Sequence, residues 1–337
     1  MKRIDGREGG GQLLRLAVAL AALEGTPIEI ENVRGARQEP GLRAQHVAAV
    51  EAVGSLVDAD CAGVEVGSER VVFDPGPLTG GEISLDVGTA GSISLLFDAV
   101  LPLAMGTDEP VTVHATGGTD VKWSPPIGYH RHVKLPLLEG FGLRAEIEVQ
   151  RRGFYPRGDG AATLRIRPSA IEPLLLRERG DLESVAVRSI ATEDLEDAEV
   201  ASRQIEGATD SLEGAIDAPV DTSSESVSAR STGTSVLLVA SYEHSLAGFD
   251  CLGEPGRPAE SVGDAAAQAF LSFHAADAAV EEHLADQLLP FLAMRGGAIT
   301  IPTVTDHVES AAALLSRFGH DVAITNREKY TQVLSGN

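Results

Sequence analysis

The residues best suited to chemistry gather at a few glycine- and arginine-rich turns. The opening stretch IDGREGGGQLLRLAVALAALEG sets Gly6, Gly9, Gly10 and Gly11 between a short strand and an amphipathic helix that stops near Gly25. Backbone N–H groups at such a junction can cradle phosphate. No Gly-Lys-Ser/Thr follows, so this is not a Walker A loop, and the spacing also fails the dinucleotide fingerprint. A tight structural turn is the plainer alternative. Glu8 and Arg15 flank the glycines; a carboxylate beside bound phosphates suits Mg²⁺ or Mn²⁺, whereas solvated helix-start charges would need no ligand. NVRGARQEPGLRAQHVAAV then concentrates Arg34, Arg37, Arg43, Gln45 and His46 around a Pro-Gly turn entering a helix. Guanidinium forks grip phosphate bidentately, although a salt-bridged surface loop has the same composition.

Two further glycine turns follow. GTAGSISLLFDAVLP reads as a helix N-terminus after a strand. ATGGTDVKWSPPIGY places Thr119, Asp120, Trp123, Pro125 and Pro126 on a rigid, exposed loop able to wall a base or sugar. His130 and His132 find no third ligand at zinc spacing. His307, in TVTDHVESAAALL, stands at a strand-to-helix junction. An exposed imidazole there is mostly neutral near pH 7 and can attack phosphorus without a separate base; an ordinary helix-cap neighbour would look the same.

The elements that must position these residues repeat a cadence of apolar helix, glycine and two alternating strands. Residues 41–57 read as a helix followed by strands at 60–66 and 69–74. Residues 129–139 read as a helix followed by strands at 143–150 and 161–167, and residues 306–318 as a helix followed by a strand at 321–326. Three α/β repeats fit this pattern. Between about Glu178 and Ala276 the texture changes: SVAVRSIATED reads as a strand, LEDAEVASRQIEGATDSLEGAI as a surface helix, SVSARSTGTSVLLVASYEHSLAG as two strands around a polar turn, and SVGDAAAQAFLSFHA as a helix. The expected architecture is α/β (α+β), with a domain of three βα-repeats at 1–177 and 277–337 and an inserted α+β domain at 178–276.

The chain has 337 residues, of which 50 are acidic and 27 basic, a formal charge of −23. Only four of the basic residues are lysines; 23 are arginines. Such a surface suits a cytoplasm at molar salt, where self-repulsion is screened, and points to an extreme halophile, an ordinary acidic enzyme being the alternative. Any nucleic-acid site must then be local and not a broad basic face. The apolar run Leu16 to Leu23 is too short to span a membrane. Lys2 and Arg3 lead into Asp5, Arg7 and Glu8 instead of an apolar signal region, so a soluble cytoplasmic protein is expected. Cys61 and Cys251, far apart, have neither metal nor redox spacing.

Taken in order, GREGGGQLLR, VRGARQEPGLRAQH, GTAGS, GGTD followed by PP, GFYPRGDG, HLADQL and the late His307 resemble the RNA 3′-terminal phosphate cyclase family across nearly the whole chain. Singly these turns are weak signals; the ordered set is highly specific. The resemblance implies a three-repeat domain, of the kind also found in enolpyruvyl transferases, with a smaller domain inserted before the last repeat. It implies that ATP adenylates a histidine, that AMP passes to an RNA 3′-phosphate, and that the vicinal 2′-OH closes a 2′,3′-cyclic end; that hydroxyl makes the substrate RNA and not DNA. Carried over by position, His307 is the nucleophile, Glu8 the metal-linked carboxylate, and Arg15, Arg34, Arg37 and Gln45 the polar set required for activity. His283, Leu284, Ala285, Asp286 and Gln287 form the nucleotide-binding segment, and Pro126, or Pro125, lies against adenine. Mg²⁺ or Mn²⁺ and an RNA 3′-phosphate end are the implied metal and partner, with no membrane or obligatory protein partner.

The sequence departs from the bacterial pattern at three places. His283 replaces a Tyr. Asp98 replaces a nucleotide-contacting Gln, and a carboxylate cannot donate the amide hydrogen bond. Ser310 and Ala311 replace a Thr-Asn pair. Two other readings remain: a non-catalytic cyclase-like ribosome-assembly protein, which would lack the histidine, and an enolpyruvyl transferase, which would need six repeats.

Overall fold

A computed structural model describes residues 1–336 apart from Thr89 and Glu328. Thr89 belongs to the GTAGS turn, so that part of the turn lies outside the described residues. Among the described residues, four four-stranded sheets organise the chain. The first contains Lys2–Asp5, Ile28–Glu31, Asp60–Ala62 and Val71–Asp74. The second contains Gly81–Asp86, Val111–Gly117, Ala145–Arg151 and Gly160–Ile166, and the third Leu174–Leu176, Gly297–Ile301, Val322–Asn326 and Thr331–Ser335.

These three sheets share one strand order. In each, the first strand pairs in parallel with the second, the second antiparallel with the fourth, and the fourth antiparallel with the third. A parallel pair requires a crossover, supplied by the helices Gly10–Glu24, Ile93–Val100 and Glu282–Arg295. A second helix in each unit, Ala44–Leu56, residues 127–139 or Asp306–Phe318, precedes the closing hairpin. In the middle unit that helix takes a π-helical turn at His130–Lys134, where one extra residue per turn re-aims side chains.

The crossover from Leu176 to Glu282 is much longer than the other two, because it contains the fourth sheet. Its strands run Val220–Val227, Leu182–Thr192, Thr234–Tyr242, Leu246–Leu252 in space. The stretch expected to form two strands around a polar turn does form an antiparallel hairpin, Thr234–Tyr242 with Leu246–Leu252 around Glu243, His244 and Ser245. Val220–Val227 is not among the expected strands; it and Thr234–Tyr242 flank Leu182–Thr192 on opposite sides, one parallel and one antiparallel. The helix Val200–Leu212 supplies the parallel crossover, which adjacency in sequence does not reveal. That helix is also shorter than expected, since residues 193–198 form a separate 3-10 turn.

Two apolar clusters result. The larger is built from the three related units; the smaller gathers Val185, Val236, Phe249, Phe270 and Phe273 under Val200–Leu212 and Ala259–His274. Strand periodicity divides Thr234–Tyr242 between them: Val236, Leu238 and Ala240 enter the smaller cluster, while Leu237 and Val239 join the larger. The GGTD turn is not the exposed loop expected. Thr119 and Asp120 are buried, Thr119 donates to Asp120 at 2.7 Å, and Arg152 Nη1 donates to the same carboxylate at 3.2 Å. Trp123 alone of that loop stands almost fully in solvent.

Candidate active site

The glycine turn is shaped by what lies over it. Gly10 takes φ +57°, in the left-handed region that favours glycine. A Cβ on Gly11 would sit 2.3 Å from His46 Nε2 and 3.2 Å from Arg15 Nη1, and one on Gly10 would meet Arg37 Nη2 at 3.4 Å. The turn therefore forms the floor beneath an imidazole and two guanidinium groups. No side chain caps the helix that follows, which leaves its first N–H groups available to an anion.

His46 lies in the first turn of Ala44–Leu56 and accepts the Arg43 N–H on Nδ1 at 2.9 Å. Burial, reinforced by the charges of Arg15, Arg34 and Arg43, drives its pKa down to about 3. It is neutral at physiological pH, and its Nε2 carries the proton toward the glycine turn. Arg34, held at φ +55°, donates through Nη1 to the carbonyls of Glu39 and Gly41 at 3.1 and 2.7 Å, closing its own loop. Arg43 pairs with Glu39. Arg37 is exposed, and Gln45 is half-buried one residue before His46.

A second group of side chains lies behind this floor. Asp98, on Ile93–Val100, accepts Lys134 Nζ at 2.5 Å and His130 Nε2 at 2.6 Å. Burial alone would raise its pKa, but the charges and hydrogen bonds of Lys134 and His130 outweigh burial and hold the carboxyl below its ordinary range. Asp286 accepts Gln12 Nε2 at 2.5 Å; burial first, then the Asp98 charge, push its pKa up to about 7. Arg15 is half-buried and feels both carboxylates, which oppose the lowering of its pKa by burial. Glu281 caps Glu282–Arg295 by accepting the His283 N–H at 2.6 Å and receives a hydrogen bond from Tyr129. Burial lifts its pKa to about 8.

His307 is the second residue of Asp306–Phe318, whose N-cap Thr305 accepts the Val308 N–H at 3.2 Å. The helix packs against Gly10–Glu24, and the imidazole is exposed at its N-terminal end. Its pKa is lowered by partial burial, then by Arg15 and Arg37, with a smaller push from His283 and opposition from Asp306. An exposed, neutral imidazole near two cations has the chemistry of a nucleophile toward phosphorus.

Arg15 and Arg37 thus lie against the glycine turn, and His307 is near enough to feel the charges of both and of His283. Arg34 and Gln45 belong to the loop and helix that frame that turn, and Glu8 is exposed next to Gly9. The segment 283–287 is mixed. Leu284 and Ala285 are fully buried in the larger cluster, because the inward face of a helix must be apolar, so their side chains face the core. His283 is exposed, Asp286 meets Gln12, and Gln287 donates to the His283 carbonyl at 2.8 Å. Pro126 is buried as the N-cap residue of the helix starting at Ile127; Pro125 is half-exposed, and its carbonyl accepts Ser94 Oγ at 2.6 Å. Sequence left Gln12, Lys134 and Glu281 without a role. His46, named there only as a member of the arginine segment, is its buried and neutral member.

Among the described residues no group of three or more His, Cys, Asp or Glu side chains is arranged around a metal position. One exposed carboxylate beside a phosphate cradle nonetheless fits Mg²⁺ or Mn²⁺, ions held through one or two carboxylates plus the substrate phosphates. No helix among the described residues is long and apolar enough to cross a membrane.

The sequence model of the RNA 3′-terminal phosphate cyclase family matches residues 6–323. A protein of Halobacterium salinarum named RNA 3′-terminal phosphate cyclase is 47% identical over 346 aligned positions, covering 99% of this chain and all of the relative. Proteins of the same name from Methanopyrus kandleri and Pyrococcus furiosus are each 40% identical, covering 94% of this chain and 92% of theirs. The chain belongs to the RNA 3′-terminal phosphate cyclase family.

Proposed function

We propose that the chain converts an RNA 3′-terminal phosphate to a 2′,3′-cyclic phosphodiester with consumption of ATP. The observation that carries this reading is His307, exposed and with a lowered pKa, within reach of the charges of Arg15 and Arg37 that lie against the glycine turn. A nitrogen of His307 attacks the α-phosphorus of ATP; the P–N bond forms as the bond to pyrophosphate breaks. An oxygen of the RNA 3′-phosphate then displaces the imidazole, giving an RNA–AMP anhydride. The adjacent 2′-OH attacks the RNA phosphorus, loses its proton and expels AMP. Each step moves charge onto phosphate oxygens, so positioning by arginines and N–H groups does most of the work.

Arg15 and Arg37 hold the phosphates with Gln45 as a further polar contact, Arg34 keeps the arginine loop in place, and neutral His46 donates from above the floor. His283, Asp286 and Gln287 line the nucleotide side with Pro125. Asp98, already engaged by Lys134 and His130, acts through Asp286 and Arg15 and not through an amide-like hydrogen bond. A divalent cation at Glu8 supplies charge neutralisation for the bound phosphates. In this reading residues 1–177 and 277–337 form one catalytic domain of three repeats, as in enolpyruvyl transferases, residues 178–276 are an inserted domain, and the protein works in a salt-rich cytoplasm.

The test is self-labelling with α-labelled ATP and Mg²⁺ or Mn²⁺ in concentrated KCl, comparing wild type with His307→Ala. An acid-labile, alkali-stable label on wild type alone is expected. Absence of label on folded, metal-supplied wild type would sink the reading and favour the non-catalytic ribosome-assembly role.

A further inference from the structure

Arg131, next to His130 in the π-helical turn, lines a cleft of about 700 Å³ that shares no residue with the site around His307. One wall is the edge strand Ala145–Arg151 of the second sheet, continued by Arg152. The other is the edge strand Val220–Val227 of the fourth sheet, continued through Arg230. The lining carries four arginines against two carboxylates, Asp159 and Glu225, in a chain where acidic residues outnumber basic ones nearly two to one.

The cations are underpaired. Arg151 Nη2 and Arg230 Nε share the single carboxylate of Asp159, at 3.3 and 2.7 Å. Arg152, 8% exposed, spends one nitrogen on Asp120. Arg131 has no carboxylate partner among the described residues. Neither has Arg188, in the central strand beside Val220–Val227, whose Nε is buried without a hydrogen bond. Burial, and after it the nearby charges of Arg188, Arg131 and Arg152, drive the pKa of His132 down to about 4. An arrangement that crowds cations around a neutral ring while carboxylates are plentiful elsewhere is built to receive negative charge.

We propose that this cleft is a second phosphate-binding site that holds internal phosphodiesters of the RNA strand whose 3′ end reaches His307. The choice of strand rests on the function proposed above. Arginines on both walls suit a chain of phosphates passing between them better than one small anion. Guanidinium forks fix a backbone without reading its bases. Bidentate pairing of this kind also fits a setting in which diffuse attraction is screened by salt.

Fluorescence anisotropy in concentrated KCl tests the site with an RNA of about a dozen nucleotides ending in a 3′-hydroxyl, which engages the cleft without being a substrate for end activation. The Arg131→Ala/Arg188→Ala double variant is expected to bind it on the order of tenfold more weakly. It should also raise KM for long RNA at unchanged kcat, and leave self-labelling by ATP and conversion of a 3′-phosphorylated dinucleotide untouched. Arg131→Glu, at an exposed position, gives the same comparison without perturbing a buried strand. Equal RNA affinity in wild type and both variants overturns the proposal. So does pyrophosphate that binds the cleft as tightly as the long RNA, since that assigns a free anion. The hydroxyl-ended strand decides the cleft even if wild type fails to self-label, so this site and the proposed activity fail separately.

Discussion

At the scale of single residues, His307 sets the pH response. Its folded pKa lies below the ordinary histidine value near 6.5 because burial and the Arg15 and Arg37 charges disfavour the imidazolium. Self-labelling should therefore hold steady from pH 8 down to pH 7, with an acid limb centred below pH 6.5 in single-turnover measurements. Arg15→Ala should move that limb upward, since it removes one of the two guanidinium charges while leaving the ring in place. Gly11→Ala tests the floor. The added carbon falls within 2.3 Å of His46 Nε2, so His46 must shift. A stability loss of about 1–3 kcal/mol in denaturant titration is expected, with a larger proportional loss of labelling. These residues could be picked out as candidates in the sequence because three glycines, clustered arginines and a histidine at a helix start are local features, and their order carries the family resemblance. The tie of Asp98 to Lys134 and His130 was not legible, since it depends on how a helix 32 to 36 residues away is wound.

At the scale of elements, the helix at 127–139 was readable as apolar periodicity, but its π-helical turn was not. That turn directs His130 and Lys134 to Asp98 while Arg131 lines the opposite cleft. Lys134→Met should cost about 3–5 kcal/mol, the penalty for leaving a buried carboxylate without its cation. The Asp98 carboxyl has a folded pKa below its unfolded one, so its contribution is present above about pH 4 and is lost as pH falls further. Glu281 has the opposite sign. Its folded pKa is raised to about 8, so folding retains its proton and stability declines between the unfolded value near 4.3 and pH 8. Glu281→Gln keeps an acceptor for the helix cap without that charge. It should flatten the decline, with a gain on the order of 1 kcal/mol at pH 8 in melts followed by circular dichroism. The buried GGTD turn shows the same limit of sequence reading: a Gly-Gly-Thr-Asp run looks solvent-facing until Arg152, more than 30 residues later, arrives to pair with Asp120.

At the scale of the whole molecule, a charge of −23 governs salt dependence. At molar salt the Debye length is about 3 Å and surface carboxylates barely sense one another; at 0.1 M it is about 10 Å and they repel. Lowering KCl from molar to 0.1 M should depress the melting temperature by several degrees, and a non-binding neutral osmolyte should not substitute fully for the salt. The helix–glycine–strand cadence was visible in sequence because each unit repeats its own local periodicity. The strand order of the fourth sheet was hidden, because pairing across it is nonlocal. The placing of that sheet within the third crossover bears on how the chain folds as it is synthesised. Leu174–Leu176 emerges with a bare edge, and its parallel partner Gly297–Ile301 follows only after more than a hundred further residues. Loop closure over that span costs little more than over a short one, but the waiting edge invites wrong pairing. Collapse of Val185, Val236 and Phe270 into their own cluster draws the ends of the intervening segment together. The fourth sheet then acts as a clasp, shortening the search by which the last strands find Leu174–Leu176.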